Sequence, residues 1–504
     1  MLDHASRDSD SPRRSFLKQA ALLGAATFTL PKLLTASERR PNIALITVDD
    51  LNYDAISWLG GKTAGLTPNI DRLATQGMAF TQAYNTHSRC SPSRGSVMTG
   101  LYQDGYSDAP GTKSTVLRDG LLPLPAILKQ KAGYRTAVLG KETHYNPRDR
   151  YEWDLVHPMA DMGVGRHPDL YFDAADAFIK QAKADAVPFF LSANTHDPHR
   201  PFAGSDGEHA SLRRRFKNET KKRTDDPTFV LPPQIDRYTP DDAAVPGFLP
   251  DLPEVRQEIS WYMNSVYRCD QFVGRMLEAV DAHDSGGDTL VIFLSDNGMH
   301  FPFAKSNCYA TSVRTPLIFR WTGKIEPGKS DSIVSTVDLL PTVLETVGVE
   351  PPHHINGTSL TDLFTDPAQE IRDVAFASIN GKGKSLFEMR SLIGSRYIYI
   401  YNHFSDGKAQ FYDGRYGGGE SLRGMEKRAA TDPSMRKRID FMYYRTKEEL
   451  YDVREDPNAL NNLAMSKNEA PALNQMRSRM SEILASNKDP FAAAFDDYVT
   501  SLNR

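Results

Sequence analysis

Acidic and amide side chains directly follow two apolar stretches of this 504-residue chain. Asp49 and Asp50 come after NIALITV, and Asp296 and Asn297 come after TLVIFLS. Carboxylate and carboxamide oxygens are hard ligands that suit Ca²⁺ or Mg²⁺, and a set without thiolate or imidazole disfavours zinc. These four residues therefore predict a site for one divalent cation, with calcium preferred.

Cationic and imidazole side chains follow two further apolar stretches. Lys141 and His144 come shortly after YRTAVL, and PFFLSA is followed closely by His196, His199 and Arg200. An oxyanion substrate needs such groups around it. Taken alone, each piece has an ordinary explanation, since an Asp-Asp pair after a strand is often a turn or helix cap. Their joint occurrence favours an active site.

Cys90 begins the segment CSPSRGSVMTG. Pro92 and the apolar residues beyond it predict that Cys90 lies at a helix N-terminus, where the helix dipole and free amides favour a bound anion. The pattern alone also fits a low-pKa thiol or a redox cysteine. The other cysteines, Cys269 and Cys308, complete neither a disulfide scaffold nor a zinc-ligand spacing. Cys269 lies on the apolar face of a helical pattern and is predicted to be an inert core residue.

The elements that must position these residues are short apolar runs alternating with helical patterns. This alternation predicts an α/β fold with a mainly parallel sheet covered by helices. The clearest strands are predicted at 42–48, 134–139, 188–193 and 289–295, and helices after Thr67 and over 254–283. Ligands of such sheets bind beyond the carboxyl ends of the strands, so the polar residues described above are expected to converge there.

The pattern of predicted secondary structure changes from about residue 370. VAFASI, EMRSLIG and RYIYIYNHF predict antiparallel strands, with a helix near the C-terminus, so we expect a smaller α+β subdomain over 371–504 beside a catalytic domain over 37–370. Residues 202–253 are polar and Pro-rich with little periodicity, which predicts a long functional or mobile loop. Its basic run LRRRFKNETKKR is either a solvated helix face or a rim that attracts a polyanion.

The composition and the N-terminal segment restrict the class of protein to which this chain can belong. The hydrophobic fraction of 40% and charged fraction of 25% exclude collagen-like, coiled-coil and wholly disordered chains. A net charge of −4 gives no field that attracts nucleic acid. Arg13 and Arg14 precede an apolar run too short for a membrane anchor, so residues 1–36 resemble a twin-arginine (Tat) signal peptide. We therefore expect a soluble periplasmic or secreted protein.

The segment Cys-x-Pro-x-Arg resembles the signature of type I sulfatases, whose cysteine is oxidised to formylglycine by a separate enzyme. TPNIDRLATQGMAF, VSTVDLLPTVL and ELYDVREDPNALNNLA are similar to the same family along nearly the whole chain beyond the signal. Within it, HDPHR, DNG…FPF and the YYR…ELYD ending are most similar to the N-sulfoglucosamine sulfohydrolases. The resemblance implies an alkaline-phosphatase-like fold with a C-terminal subdomain.

The resemblance also implies roles for single residues. Cys90, after conversion, is the nucleophile, and Arg94 orients it. Lys141 and Lys305 neutralise sulfate oxygens, and His196 protonates the leaving group. The implied calcium ligands are Asp49, Asp50, Asp296 and Asn297, with the Cys90-derived group beside them. His144 is implied to be catalytic, and His199 and Arg200 to bind substrate.

The sequence departs from the family's motifs at two positions, and several alternative functions stay open. The family's Gly-Lys-x-His has one extra residue before His144, and the sulfamidases carry an arginine where this chain has Lys305. We expect a sulfohydrolase acting on sulfated saccharides, N-sulfoglucosamine first, with a formylglycine-generating enzyme as maturation partner. The alternatives are an O-sulfatase on another sulfated glycan or aryl sulfate, a phosphomonoesterase or phosphodiesterase of the same superfamily, or a non-enzymatic glycan-binding protein. A homodimer is compatible with the resemblance.

Overall fold

The structure is a computed structural model that describes residues 40–107, 116–222, 230–381, 387–411 and 419–502. The expected signal peptide, residues 1–36, lies outside the described residues. The domain boundary expected at residue 370 stays a prediction.

An eight-stranded sheet lies at the centre of the fold. Its strands are β1 (Asn42–Val48), β2 (Met78–Tyr84), β3 (Arg135–Leu139), β4 (Leu155–His157), β5 (Phe189–Asn194), β6 (Thr289–Ser295), β7 (Leu317–Arg320) and β8 (Gly328–Ser335). Their order is β4-β3-β5-β1-β6-β7-β2-β8, and every pair is parallel except the two that include β7. Strands β5 and β6 are buried along their whole length, as expected when helices cover both faces.

Helices cover both faces of this sheet and continue into the C-terminal part. They are α1 (Pro68–Gln76), α2 (Cys90–Thr99), α3 (Gln103–Tyr106), α4 (Leu124–Ala132), α5 (Pro168–Ala184), α6 (Asp206–Lys222), α7 (Pro253–Asp281), α8 (Ala310–Val313), α9 (Leu339–Thr346), α10 (Glu420–Ala429), α11 (Pro433–Tyr444), α12 (Ala470–Ser486) and α13 (Ala492–Leu502). One apolar cluster joins the sheet to α1, α5 and α7, and another joins it to α2, α4 and α9. Alternate residues of β1 enter the two clusters, so β1 lies in the middle of the core.

A four-stranded antiparallel sheet of order β12-β11-β10-β9 follows. Its strands are β9 (Val374–Ile379), β10 (Met389–Gly394), β11 (Tyr397–Asn402) and β12 (Glu448–Asp452). Ile398 and Ile400 of β11 join the main core cluster, whereas Tyr399 and Tyr401 pack with α12 and α13. The predicted α/β class, antiparallel C-terminal sheet and C-terminal helix are confirmed. Among the described helices, none has the length and apolarity that crossing a bilayer requires.

The structure corrects part of the prediction for residues 202–253. Its first part is helix α6, so the prediction of a long loop is wrong there. Sequence periodicity misses this helix because polar contacts hold it: Glu208 is buried and accepts a hydrogen bond from Arg268 Nη2 at 2.6 Å. The predicted helix over 254–283 is α7, and Cys269 is fully buried within it, where burial raises the pKa of its thiol.

Candidate active site

Four adjacent parallel strands, β3-β5-β1-β6, place their carboxyl ends at one edge of the sheet. These are the four strands expected from the apolar runs, so the residues that follow them meet there. The side chains that contact one another at this edge are here called the strand-end cluster: Asp49, Asp50, Cys90, Lys141, His196 and Lys305. The strand order explains why Asp49, Lys141 and His196 converge, whereas Cys90 comes from the start of α2 and Lys305 from the segment between β6 and α8.

Cys90 is the first residue of α2, as the sequence predicts. Its Sγ lies 3.0 Å from Asp49 Oδ1 and 3.6 Å from Lys305 Nζ. The whole of α2 is buried, and Tyr106 Oη donates to the carbonyl of Pro92 at 2.6 Å. A Cβ at Gly95 would lie 2.4 Å from Tyr106 Oη, so only glycine admits this close packing. Cys90 is therefore held on a fixed helix end that faces the two aspartates.

Lys141 and His196 both lie against Asp49. Lys141 Nζ forms an ion pair with Asp49 Oδ2, and His196 Nδ1 lies 3.2 Å from the same oxygen and 2.6 Å from Lys141 Nζ. Burial lowers the pKa of Lys141 to about 7, and burial together with the charge of Lys141 lowers the pKa of His196 well below its ordinary value. A lysine and a histidine thus lie against one buried carboxylate, and burial disfavours the charged form of both.

Asp50 is the least satisfied carboxylate of the cluster. Its Oδ1 accepts from Asn297 Nδ2 at 2.6 Å and from Lys305 Nζ. Its Oδ2 is buried without a hydrogen-bond partner, 3.9 Å from His199 Nε2 and 3.8 Å from His300 Nδ1. Both Asp50 (φ 71°) and Lys141 (φ 53°) have left-handed backbone conformations, which non-glycine residues adopt at a cost and which concentrate at functional sites.

Arg94 and Asp296 form a buried ion pair behind the cluster. Arg94 Nε and Nη2 lie 2.9 and 2.8 Å from Asp296 Oδ2, and the Asp50 amide donates to Asp296 Oδ1 at 3.2 Å. Arg94 Nη1 also donates to Thr47 Oγ1 and to Asn194 Oδ1, the latter at 2.7 Å. Sequence reasoning missed Thr47 and Asn194. The available signal was that they are polar residues at the ends of otherwise apolar strands.

The remaining predicted residues border the cluster. His199 stacks on His196 with 4.6 Å between ring centroids, and Arg200 forms an ion pair with Glu258 at 2.6 Å. His144 lies on the turn after Lys141, and burial with the charge of Lys141 lowers the pKa of its imidazole. His300 was not predicted, although it comes four residues after Asp296. Its ring meets that of His199 edge to face at 5.7 Å.

The donor set fits a divalent cation. Ligand atoms of four residues lie within 4.8 Å of one another: Asp49, Asp50, Cys90 and His199. Asn297 donates to Asp50 Oδ1 through Nδ2, and its Oδ1, like Asp50 Oδ2, is buried without a hydrogen-bond partner. Buried polar oxygens are costly unless paired, so both orphaned atoms suit a bound cation.

The charges of the site are balanced before any ligand is added. Three carboxylates (Asp49, Asp50, Asp296) meet three cationic groups (Arg94, Lys141, Lys305). A dication and an anionic oxyanion group can therefore enter together without leaving a large uncompensated charge in the buried site. This arrangement can hold an oxyanion beside a nucleophile at Cys90 and a proton donor at His196.

Comparison with known proteins identifies relatives over most of the chain. The profile of the family described as Sulfatase matches residues 41–349. The chain is 29% identical to an N-sulphoglucosamine sulphohydrolase of Homo sapiens, covering 91% of this chain and 92% of that protein. It is 25% identical to an N-acetylglucosamine-6-O-sulfatase of Bacteroides thetaiotaomicron, covering 66% and 73%.

A solved structure in complex with its substrate D-glucosamine-2-N,6-O-disulfate has the same fold. Its TM-score is 0.63 at 20% identity, with coverage of 90% of this chain and 99% of that one. The expected alkaline-phosphatase-like fold is confirmed.

Proposed function

Because the chain belongs to the sulfatase family, we propose that it releases inorganic sulfate from sulfated saccharides, with N-sulfoglucosamine as the favoured substrate. The observation that carries this proposal is the position of Cys90 at the start of α2, between the carboxylate of Asp49 and the ammonium of Lys305. The N-sulphoglucosamine sulphohydrolase of Homo sapiens, similar along 91% of this chain, supports the N-sulfated substrate.

The nucleophile is proposed to be formylglycine, made from Cys90 by a separate formylglycine-generating enzyme. Once hydrated, this aldehyde would supply an oxygen nucleophile for sulfur and a second hydroxyl whose deprotonation would re-form the aldehyde and release sulfate. The residues around Cys90 suit that chemistry, because Lys305 and Lys141 bring positive charge to the place where sulfate oxygens carry negative charge. His196, fixed against Lys141 and Asp49, is the general acid for the leaving amine or alkoxide.

Calcium is the proposed metal. Asp49, Asp50, Asp296 and Asn297 would hold it beside the Cys90-derived group, and the orphaned Asp50 Oδ2 and Asn297 Oδ1 support that assignment. When bound, calcium supplies positive charge that stabilises developing charge on oxygen. Arg94 holds Asp296 in place through Nε and Nη2, which makes it a positioning residue in this structure.

An O-sulfatase acting on another sulfated glycan or an aryl sulfate is the second candidate. The observation that favours it is Lys305, which is buried and paired with Asp50 at the position where the resemblance to the sulfamidases implies an arginine. Lysine is a point charge and cannot bind a sulfate group with two parallel hydrogen bonds. The relationship to an N-acetylglucosamine-6-O-sulfatase of Bacteroides thetaiotaomicron points the same way.

Export through the Tat pathway to the periplasm or medium is proposed from residues 1–36 alone. Tat systems carry folded proteins, so conversion of Cys90 would precede export. Replacing Arg13 and Arg14 with lysine should retain the protein in the cytoplasm, as cell fractionation would reveal. Equal export of both forms would contradict this route.

Mass spectrometry of the Cys90 peptide, followed by a sulfate-release screen, tests the proposed function. The screen compares N-sulfoglucosamine with N-acetylglucosamine 6-O-sulfate, an aryl sulfate and a phosphate monoester, and the Cys90→Ala protein is the control. Faster release from N-sulfoglucosamine supports the favoured substrate, whereas faster release from the 6-O-sulfate supports the second candidate. Hydrolysis of phosphate esters in preference to every sulfated compound would exclude both.

A further inference from the structure

A cavity of about 580 Å³ opens next to the strand-end cluster. His199 and His300 line it and also lie 3.9 and 3.8 Å from Asp50 Oδ2, so the cavity borders the cluster. Its volume falls within the ~300–1,000 Å³ of ligand pockets. The other walls come from α7, through Trp261 and Glu258, and from α10, through Arg423. The C-terminal part of the chain thus forms one wall of the space beside the reacting centre.

Two arginines line the cavity, and the guanidinium of Arg200 already forms an ion pair within the protein. Its side chain is only 15% exposed, it pairs with Glu258 at 2.6 Å, and it lies over the rings of Phe202 and Phe301. Glu258 also accepts from the Ser421 amide at 2.8 Å, which ties this pair to the start of α10. Arg200 is therefore part of a fixed wall whose charge Glu258 neutralises.

Arg423 is placed differently. Its side chain is 53% exposed and pairs with Glu420, three residues earlier on α10, whose side chain is 37% exposed. An ion pair between such exposed groups contributes little to stability, so an incoming anion can replace Glu420 at low cost. Trp261, half-buried in the part of the lining that comes from α7, offers an aromatic surface against which the apolar face of a sugar ring can pack.

We propose that Arg423 binds a second acidic group of the saccharide whose sulfate lies at the strand-end cluster. That group is a carboxylate or a further sulfate, and Glu420 is the internal anion that it displaces from Arg423. The inference rests on the proposed function, since it assumes a sulfated saccharide in the cavity. It makes Arg423 and Glu420 the residues that favour polyanionic over singly charged substrates.

Three variants and three sugars test this inference. The sugars are N-sulfoglucosamine, glucosamine carrying both N- and 6-O-sulfate, and N-sulfoglucosamine linked to a uronate. Arg423→Gln should raise KM about tenfold on the doubly charged sugars, because a charge-assisted hydrogen bond is lost, and leave N-sulfoglucosamine unchanged. Glu420→Gln should lower KM on the same doubly charged sugars. The matched control is Arg428→Gln, since Arg428 lies on α10, is exposed and pairs with Asp432 outside the cavity lining.

The outcomes separate this inference from the proposed function. A loss confined to the disulfated sugar supports the inference and identifies a sulfate, and a loss confined to the uronate sugar supports it and identifies a carboxylate. Sulfate release by the wild-type protein with equal KM for wild type and Arg423→Gln on all three sugars would overturn the inference alone. A wild-type protein with formylglycine at position 90 that releases no sulfate from any sugar would overturn the proposed function as well.

Discussion

Two clusters of buried charge lie side by side in this fold, and they are built in opposite ways. The first is the strand-end cluster. The second, here called the arginine network, consists of Arg166, Asp197, Glu208 and Arg268. The clusters are adjacent because the amide of Asp49 donates to the carbonyl of Asp197 at 3.1 Å.

The arginine network is complete. Asp197 Oδ2 accepts from Arg268 Nε at 2.6 Å, and its Oδ1 accepts from Arg166 Nη1 and from Arg268 Nη2. Glu208 Oε1 accepts from Arg268 Nη2 at 2.6 Å, and its Oε2 accepts from the Gly204 amide at 3.1 Å. Two carboxylates and two guanidinium groups thus satisfy one another away from solvent.

The strand-end cluster has similar burial and a similar balance of charge, yet it is incomplete. Asp50 Oδ2 lacks a hydrogen-bond partner, the pKa of Lys141 is lowered by burial to about 7, and the backbone of Asp50 is in the left-handed region. A sequence under selection for stability alone would avoid these features. Buried charged groups with unsatisfied hydrogen bonds therefore indicate a functional site, whereas buried charged groups whose hydrogen bonds are all satisfied indicate a structural role.

The largest expected effect concerns Cys90. Cys90→Ala should lower turnover by several orders of magnitude, as removal of a nucleophile does. The melting temperature should change little, because the variant loses a side chain that contacts the strand-end cluster and keeps the packing of α2. A sulfate-release assay measures the turnover, and thermal unfolding measures the melting temperature. Full activity from protein whose Cys90 peptide carries an unmodified thiol would contradict the proposed nucleophile.

Asp50→Asn should produce the next largest effect. Loss of a metal contribution of several kcal/mol lowers kcat/KM about a thousandfold. The wild-type melting temperature should rise when calcium is added, since a ligand that binds the folded state stabilises it, and the variant should lose this rise. Asp119→Asn is the control for loss of an acidic charge, because the Asp119 side chain is 99% exposed. Stoichiometric zinc, or unchanged activity after exhaustive chelation, would argue against calcium.

The arginine network should respond in the reverse manner. Asp197→Asn leaves the buried guanidinium groups of Arg166 and Arg268 without their shared carboxylate, which should cost ~3–5 kcal/mol of unfolding free energy. The kcat of the folded fraction should change far less than in Asp50→Asn. Chemical denaturation and activity at a permissive temperature provide the readouts. If Asp197→Asn instead lowered kcat as strongly as Asp50→Asn and left the unfolding free energy unchanged, the arginine network would not have the structural role assigned to it.

The sequence predicts the strand-end cluster better than the network behind it. Asp49, Lys141 and His196 follow apolar strand patterns, and strand ends meet at one sheet edge whatever the detailed packing. Arg166 and Arg268 carry no such signal, because Asp197, the carboxylate that they share, lies 31 and 71 residues away from them along the chain.

Two further results of folding could not be predicted from spacing. The pairing of Arg94 with Asp296 depends on the rotamers of both side chains, and the cavity wall at Arg423 depends on how α10 docks at Glu258. The apolar patterns predicted β1, β5, β6 and α7 because each is a long run of one period. Helix α6 has no such run.

Helix α6 extends from the cavity and the arginine network to the surface. Its first residues, Asp206 and Gly207, line the cavity, Glu208 joins the arginine network, and the basic residues that follow are exposed at positions 213, 214 and 215. Burial is the main cause of the lowered pKa of Lys141 and of His196, and the charge of Arg215 adds to it in both cases.

The smallest expected effect comes from this basic face. Local cations raise the association rate of anions even on a net-negative protein, and salt screens them with a Debye length near ~8 Å at physiological ionic strength. Replacing Arg213, Arg214 and Arg215 with serine should therefore lower kcat/KM on a sulfated oligosaccharide at low salt, with the loss shrinking as salt is added. An aryl sulfate with one charge should be affected much less, because the attraction scales with ligand charge. Stopped-flow or steady-state kinetics across a salt series measures this difference. Equal losses on both substrates, or no loss on either, would leave the basic face of α6 as a solvated surface without a part in substrate capture.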